Sequence, residues 1–502
     1  MKKNVLFLLA MMVVGVCLAD DITVRYDGAA VKVKQKVKDS VTVTVKGTDV
    51  NVDSRYTDRR LTLRLTGTSN DGRLVLKTAG KATVTLDHLT LTSQEGAPLW
   101  LKNKKKVRVE AAKGTENTLT ITACQDTAAH KAAVIWAKDK IQLGGKGVLN
   151  IVATGDGCRG IKTKKDITIE ELTLNVTTSG NNLGEKPFGF GGGPDFGNVE
   201  MPDFGGFSPF GNDSTRQGGF PMPDFGAFSP FGNDSIRPGG FSMPNFGGFQ
   251  MPQPNDSIGE EGFGGFTGKH KYFASTKGIA SKGKITINSG RVTVRTSTPG
   301  AEGIEGKEGV VFNGGTVDVL ATDDAINANA TIEFNGAHVT ARSTTNDAID
   351  SNPKGGFFMP FGGNNQSDTD PAIIISGGTV YAWSQVGSPE EGLDCDFAPL
   401  VVNGGKVFSV GGGMGEMPSV PTNDTAKQPT VVLVGLNIVK DEPVYIYDGG
   451  GKLIDTITVP FSLRRSASLV TTPAFKLGAT YTVKTKGYEK TFTPNENFMT
   501  IK

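Results

Sequence analysis

Short runs of alternating hydrophobic and polar residues recur along much of this chain. Five segments superpose without gaps: KITINSGRVTVRT, GVVFNGGTVDVLA, TIEFNGAHVTARS, AIIISGGTVYAWS and PLVVNGGKVFSV. Each segment contains two runs of period two, separated by a bend rich in Asn, Ser and Gly, and this pattern is typical of two short β-strands. We therefore expect Ile285 and Ile287 of the first run, and Val292 and Val294 of the second, to point into a core, as their equivalents do in the other segments.

A third short element precedes each of these pairs. It is a Gly-aliphatic or Ala-aliphatic step, and its aliphatic residues are Ile161, Ile279, Ile304, Ile326, Ile349 and Leu393. Intervals of 25, 22 and 23 residues separate the four isoleucines from Ile279 to Ile349. Three short strands per repeat, with no helical periodicity, predict an all-β fold. We expect a right-handed parallel β-helix, a solenoid whose core forms only when the repeats stack.

The two ends of the chain depart from this pattern. Lys2 and Lys3, an apolar run that ends at Leu18, and the small Ala19 predict a signal peptide over residues 1–19. The protein is then exported and is periplasmic, cell-surface or secreted. No later run approaches the ~20 apolar residues of a membrane span. We assign residues 20–426 to the β-helix and 427–502, where the period breaks, to a small C-terminal β cap or module.

Two low-complexity insertions rich in Gly, Phe, Pro and Met interrupt the repeats, at about 181–270 and about 353–370. In the first, Met201, Met222 and Met243 recur at intervals of 21 residues. Frequent Gly and Pro oppose a packed strand or helix, so surface loops are the simplest interpretation. The alternative is a Phe/Gly-rich contact surface for a partner or a cell wall.

Charge and cysteine content narrow the function classes. The formal net charge is only +2, which argues against nucleic acid as the main partner. After removal of the signal peptide, Cys124, Cys158 and Cys395 remain, and no Cys-x-x-Cys pair is present. The sequence therefore excludes a disulfide framework or a thiolate metal site as the organising feature.

Acidic residues flank the aliphatic step in several successive repeats. They are Glu302, Glu305, Asp323, Asp324, Asp347, Asp350, Glu391 and Asp394, which we call the acidic column. Neighbouring strands lie about 4.8 Å apart, and two carboxylates at that distance repel each other by roughly 1 kcal/mol in water. Calcium, which prefers oxygen ligands, is the cofactor that this arrangement predicts. The alternative is a row of solvated corner residues, since Asp and Asn tolerate turn geometry.

A second candidate surface lies on the strand after the bend. Its outward positions include Arg295, Arg342, Tyr381, Trp383 and Lys406. Guanidinium groups suit sugar carboxylates, and aromatic rings suit the apolar faces of pyranoses. We predict that these residues contact a glycan, and the alternative is an ordinary exposed sheet.

The early segments add a family resemblance. The stretch that runs from TGTSNDGRLVL to GCRGIKTKKDITI, with Gly114-Thr-Glu-Asn-Thr-Leu119 and the Gly/Ala-aliphatic steps, resembles the exported β-helical carbohydrate-binding family. The resemblance implies a pectate-lyase-like β-helix that binds an acidic, polygalacturonate-like polysaccharide and calcium, with no established catalysis. The basic residues Arg159, Lys162 and Lys277 depart from this pattern in the early repeats.

Three functions remain open at this point. We predict a non-catalytic binder of an acidic polysaccharide. A calcium-dependent polysaccharide lyase is the first alternative, with Arg295 or Arg342 as the base that removes the α-proton. A surface adhesin or scaffold that uses the β-helix as a rod is the second. All three imply export and the same fold, so neither feature separates them.

Overall fold

All regular elements in the described part of the chain are β-strands. Within most strands, aliphatic residues alternate with polar residues, many of which are threonines. The computed structural model describes residues 20–124, 132–183, 275–351, 370, 372–395, 398–412 and 419–502. The described residues belong to one of the two compact units of the chain. The predicted signal peptide and nearly all of both insertions lie outside the described residues.

The first strands, which lead up to the first insertion, are β1 Ile22–Asp27, β2 Ala30–Gln35, β3 Val41–Lys46, β4 Asp49–Ser54, β5 Leu61–Ser69, β6 Arg73–Thr78, β7 Ala82–Ser93, β8 Leu99–Asn103, β9 Val107–Ala111, β10 Glu116–Ile121, β11 Ala133–Ala137, β12 Ile141–Gly144, β13 Val148–Ala153, β14 Arg159–Thr163, β15 Ile167–Ile169 and β16 Thr173–Thr178. The middle strands are β17 Ile279–Ser281, β18 Ile285–Ile287, β19 Arg291–Thr296, β20 Ile304–Gly306, β21 Val310–Phe312, β22 Thr316–Ala321, β23 Ile326–Ala328, β24 Ile332–Phe334, β25 His338–Ser343, β26 Ile349–Ser351, β27 Ile373–Ile375, β28 Thr379–Ser384, β29 Leu393–Asp394, β30 Leu400–Val402 and β31 Lys406–Gly411. The last strands are β32 Thr430–Ile438, β33 Pro443–Asp448, β34 Leu453–Thr458, β35 Leu463–Thr471, β36 Tyr481–Thr485, β37 Tyr488–Phe492 and β38 Phe498–Ile501.

From β8 to β31, each repeat contributes three strands, and each strand pairs in parallel with its equivalent in the next of these repeats. In the repeat that begins at β17, the first strand joins an eleven-stranded sheet and the next two join a 23-stranded sheet. The register of the eleven-stranded sheet aligns Ile279, Ile304, Ile326, Ile349 and Leu393, the same residues that the sequence aligns. A single repeat leaves its strand edges unpaired and buries little apolar surface, so the repeats stack and form long parallel sheets.

The predicted inward residues are buried. Ile285, Ile287, Val292 and Val294 have no exposed surface, which confirms the alternation inferred from the sequence. Equivalent side chains stack on one another inside the repeats. The rings of Phe312 and Phe334, for example, lie 5.0 Å apart and nearly parallel.

The bend between the two strands of a repeat has its own stacking. Asn335 Nδ2 donates a hydrogen bond to Asn313 Oδ1 (2.9 Å), and Asn313 Nδ2 donates to Asn288 Oδ1 (2.9 Å). Gly315 follows with a φ of +84°, and a Cβ there would lie 2.5 Å from the carbonyl oxygen of Gly290. The Asn-Gly-Gly bend is therefore required by side-chain stacking and by close backbone approach.

The C-terminal strands change the direction of pairing. β35 pairs antiparallel with β31 and with β32, so both β32 and β35 extend the 23-stranded sheet. β33, β34, β36 and β37 form a separate four-stranded antiparallel sheet. This region covers the outer side of the last repeats and forms a second hydrophobic cluster that includes Phe408, Val431 and Phe475. Among the described residues, the structure has no helix long and apolar enough to cross a membrane.

Candidate functional site

The eleven-stranded sheet brings part of the acidic column into one line. Its register aligns Glu305, Asn327, Asp350 and Asp394, each of which directly follows the aliphatic residue of its strand. The aliphatic side chain points into the core, so the next residue points to the opposite face. The predicted alignment of these four polar residues is therefore present in the structure.

A second row of acids lies two residues before the aliphatic position. It contains Glu302, Asp324, Asp347 and Glu391, and the backbone amide of Glu391 donates a hydrogen bond to the Asp347 carboxylate. Asp324 and Asp347 are only 6% and 7% exposed. This row is therefore much less solvated than a row of ordinary corner residues.

Lysines balance the acids at the first level of the column. Lys277 Nζ lies 2.9 Å from Glu302 and 2.7 Å from Glu305, and Lys307 Nζ lies 2.6 Å from Glu305. Burial opposes ionisation of Glu305, but Lys277 and Lys307 outweigh it and lower the pKa of Glu305 to about 2. Burial raises the pKa of Glu302, and Lys277 opposes that rise. Because ammonium groups occupy the space between these carboxylates, Glu302 and Glu305 do not fit a calcium site.

Carboxylates crowd together at the next two levels. Burial raises the pKa of Asp324 well above its usual range, and the charges of Asp323, Glu302 and Asp347 add to the rise. Burial likewise raises the pKa of Asp347 to about 9, against the hydrogen bond from Glu391, with contributions from Asp394, Glu390 and Asp350. Ionised carboxylates are unfavourable here unless a proton or a cation compensates them.

Amides hold these carboxylates in place. Asn346 Nδ2 donates to Asp323 Oδ1 (2.9 Å) and to Asp324 Oδ1 (2.7 Å). Asn327 Nδ2 donates to Asp324 Oδ2 (3.0 Å) and to Asp350 Oδ2 (2.7 Å). The amides supply no positive charge, so the hydrogen bonds orient the carboxylates and leave their repulsion in place.

The donor set at these two levels suits a hard cation. Carboxylate, amide and backbone carbonyl oxygens are the ligands that calcium prefers. In the described ranges, no three acidic, His or Cys side chains are close enough to form a ready-made metal site. Asp323, Asp324, Asp347, Asp350, Glu391 and Asp394 thus fit calcium by chemistry, and the side chains would have to converge around the ion.

Arg295 and Arg342, the two arginines predicted to contact a glycan, differ in their electrostatic surroundings. Arg295 forms an ion pair with the Asp318 carboxylate and donates a hydrogen bond to the Asp318 carbonyl oxygen (2.9 Å). Burial lowers the pKa of Arg342, and the nearby Arg295 lowers it further while Asp318 opposes this. In the register of the 23-stranded sheet, Leu320 lies between Arg295 and Arg342. The two arginines thus lie two strands apart at equivalent positions of one sheet, and the guanidinium of Arg295 is already paired with Asp318.

The prediction that Trp383 lies on an open sheet face is wrong. Its side chain is only 7% exposed and packs in the cluster that contains Phe408, Val410 and Val431. Tyr381 stacks on Trp383 with the rings 5.4 Å apart. The antiparallel pairing of the C-terminal strands covers this face, so Trp383 cannot stack on a sugar without their displacement.

Lys406 is engaged in the same region. Its Nζ lies 2.6 Å from the carboxylate of Asp455 on β34 and 5.5 Å from the centre of the Tyr381 ring. Burial opposes the charged form, but Asp455 and Tyr381 raise the pKa of Lys406. Lys406 thus ties the four-stranded sheet to the repeats.

An aromatic pair that the repeat pattern did not single out lies on earlier strands of the eleven-stranded sheet. Trp100 on β8 and Trp136 on β11 are paired in the eleven-stranded sheet, with ring centroids 6.2 Å apart and nearly perpendicular planes. Lys102 Nζ lies 3.7 Å from the centre of the Trp100 ring. Both tryptophans directly follow an inward aliphatic residue in the segments GAPLWLK and AAVIWAK, a signal that the alignment of these segments could have provided.

Comparisons with known proteins point to a carbohydrate-binding family. The family model described as carbohydrate-binding domain-containing protein matches residues 37–186 and 297–431, together more than half of the chain. A carbohydrate-binding domain-containing protein of Acetivibrio thermocellus is 28% identical over 151 residues, which are 29% of this chain and 50% of that protein. The chain thus spans about half of the length of this relative.

One solved structure is also similar. It is described as the polysaccharide lyase-like protein from C. thermocellum, in a gadolinium derivative. The similarity has a TM-score of 0.39 at 18% sequence identity, and it covers 65% of this chain and 91% of that chain.

Proposed function

Because the chain belongs to the carbohydrate-binding domain family, we propose that it binds an acidic polysaccharide of the polygalacturonate type and does not cleave it. The proposal rests chiefly on the crowded carboxylates at Asp324 and Asp347. Their burial and mutual repulsion favour a bound cation, and a cation at that place would attract a polyanion.

Calcium is the cation that we propose for the acidic column. Asp323, Asp324, Asp347, Asp350, Glu391 and Asp394 would hold it, and Glu302 and Glu305 would not, because lysines already neutralise them. A bound calcium ion supplies positive charge that can be shared between protein carboxylates and sugar carboxylates. The asparagines at 327 and 346 orient the aspartates toward one another and so prepare the site.

We also propose that the protein is exported and that its repeats form a β-helix. Residues 1–19 have the sequence features of a signal peptide, which supports a periplasmic, cell-surface or secreted protein. The three-strand repeat with parallel registers supports a right-handed parallel β-helix. The Phe/Gly-rich insertion would then lie outside the cytoplasm, where it could contact a cell wall.

A calcium-dependent lyase is the second candidate, and one observation favours it. The lowered pKa of Arg342 moves this guanidinium toward the form that can accept a proton. Arg295, the other candidate base, is held by Asp318. Release of unsaturated sugar ends from polygalacturonate by the wild type, and their absence with Arg342→Gln, would favour the lyase.

The proposal is tested by retention of the purified protein on insoluble polygalacturonate, with calcium and with a chelator. We expect calcium to increase retention about tenfold, and the double variant Asp324→Asn/Asp347→Asn to lose that increase. The matched control is Asp39→Asn/Asp58→Asn, which changes two exposed carboxylates outside the acidic column.

Two results would contradict it. Equal retention of the wild type with calcium and with chelator would remove calcium from the proposal. No retention in either condition would remove acidic polysaccharide binding itself.

A further inference from the structure

A lysine occupies the equivalent register position in, or directly after, six successive strands of the eleven-stranded sheet. Lys77 on β6 pairs with Lys102 on β8. Directly after the last residue of each of the next four strands, β11, β14, β17 and β20, comes another lysine, and these lysines are Lys138, Lys164, Lys282 and Lys307. We call the six residues the lysine ladder. With about 4.8 Å between neighbouring strands, the ladder is about 24 Å long.

Negative partners lie at the two ends of the ladder. Lys77 Nζ lies 2.7 Å from Asp53, and Lys307 Nζ lies 2.6 Å from Glu305. Between these ends, Lys138 and Lys164 are exposed and make no ion pair with any other residue that the structure describes. Like charges at strand spacing repel one another, so the middle of the ladder favours an anionic ligand.

Aromatic side chains support the ladder on one side. Trp100 and Trp136 occupy neighbouring positions on the same face, one residue before the inward residues Leu101 and Ala137. The Lys102 ammonium lies over the Trp100 ring, a cation–π contact that fixes its position. Trp136 is only 7% exposed, so it can form part of a cleft wall and is too buried to be a stacking platform.

Two open clefts lie along the ladder. The first has a volume of about 500 Å³ and is lined by Trp100 and Trp136 together with Lys77, Lys102 and Lys138. The second has a volume of about 440 Å³, and its lining includes Arg159, Lys162, Lys282 and Lys307. Both clefts are basic, and the shared row of lysines connects them.

We propose that the lysine ladder binds a chain of acidic polysaccharide directly through its sugar carboxylates, without calcium. This inference rests on the proposed function and adds a second, separate contact surface to it. The polysaccharide chain lies across successive strands, with the ladder lysines as donors and the tryptophan pair as the wall of the first cleft.

The repeat of the ladder is what favours a uronate polymer. One lysine occurs per strand spacing of about 4.8 Å, which is comparable with the length of one pyranose residue along a chain. A polymer with one carboxylate per sugar therefore matches the spacing of the ladder lysines. Lysine ammoniums are compact point charges that tolerate variation in carboxylate position, as a flexible glycan requires.

The experiment compares two triple charge reversals in chelator, with binding of soluble polygalacturonate measured by calorimetry. The ladder variant is Lys102→Glu/Lys138→Glu/Lys164→Glu, and the control is Lys34→Glu/Lys440→Glu/Lys476→Glu, which has the same net charge and changes exposed lysines elsewhere. We expect wild type and control to bind in chelator, and the ladder variant to bind at least about tenfold more weakly. The calcium-dependent increase should persist in the ladder variant.

Three results would overturn the inference. Loss of all wild-type binding in chelator would show that no calcium-independent surface exists. If binding then reappears with calcium, the proposed function is still supported. Equal weakening in the ladder and control variants would assign the effect to net charge. Tighter binding of duplex DNA than of polygalacturonate at the same salt concentration would identify a different polyanion as the occupant. A Lys→Gln version of the ladder variant covers the case in which the charge reversals fail to fold.

Discussion

Individual lysines determine which carboxylates of the acidic column have a positively charged partner. Glu302 and Glu305 share Lys277, and Lys307 adds a second ammonium beside Glu305. Asp324 and Asp347 are equally buried, and the partners that surround them are amides and other carboxylates. Equivalent positions of successive repeats thus form lysine–glutamate ion pairs in one repeat and a cluster of carboxylates that attracts a cation in the next.

Asp347→Asn should stabilise the protein at neutral pH in chelator. The folded-state pKa near 9 lies above the ordinary value of 3.8, so the stabilising contribution of Asp347 is complete only below that ordinary value. This contribution to the free energy of unfolding falls as the pH rises toward 9. Asparagine does not ionise, so the variant does not lose stability in this way. We expect a gain of up to about 4 kcal/mol at pH 7 that vanishes at pH 3, measured by urea unfolding.

The exposed Asp39→Asn serves as control for that measurement and should show no comparable pH-dependent gain. A destabilised Asp347→Asn protein in chelator at pH 7 would contradict the account of this carboxylate. Calcium should reduce the gain, because the ion would compensate the wild-type carboxylate and not the amide.

Strand pairing, at the scale of elements, decides which surfaces stay open. The outer face of the eleven-stranded sheet keeps its ladder lysines exposed or half-exposed. The outer face around Tyr381 and Trp383 is closed by the C-terminal strands, and Lys406 and Asp455 join the two parts. Binding surfaces are therefore expected on the first face.

Trp383→Ala should affect folding and leave binding unchanged. Removal of this buried ring from the cluster with Phe408 and Val431 should cost about 3–5 kcal/mol of unfolding free energy. The affinity of the folded protein for polygalacturonate should remain that of the wild type. Leu453→Ala, in the exposed part of β34, is the control and should change neither quantity appreciably. A variant with normal stability and lost binding would restore Trp383 as a glycan contact.

Local pattern predicts the strands of this protein and their register, because inward residues such as Ile285 and Phe312 recur at equivalent positions of successive segments. The covering of Trp383 depends on antiparallel pairing between β31 and β35, strands more than fifty residues apart, and no local period encodes it. Lys277 neutralises Glu302 from the preceding repeat, so the acidic pattern by itself could not reveal the ion pair.

At the scale of the whole molecule, positive and negative side chains are separated along the eleven-stranded sheet. The eleven-stranded sheet carries the lysine ladder on its earlier strands and the crowded aspartates on its later strands, and Lys307 with Glu305 lies between them. The net charge of +2 conceals this separation. A long polyanion could contact the lysines directly and the aspartates through calcium, so the two proposed surfaces would act on one ligand.

Binding without cleavage is tested by prolonged incubation of the wild-type protein with soluble polygalacturonate and calcium, followed by size-exclusion chromatography with light scattering. We expect the protein to co-elute with the polymer and the polymer to keep its length. A neutral galactan of similar length should not co-elute with the protein. Separate elution of protein and polygalacturonate, or shortening of the polymer with new unsaturated ends, would contradict a non-catalytic binder of acidic polysaccharide.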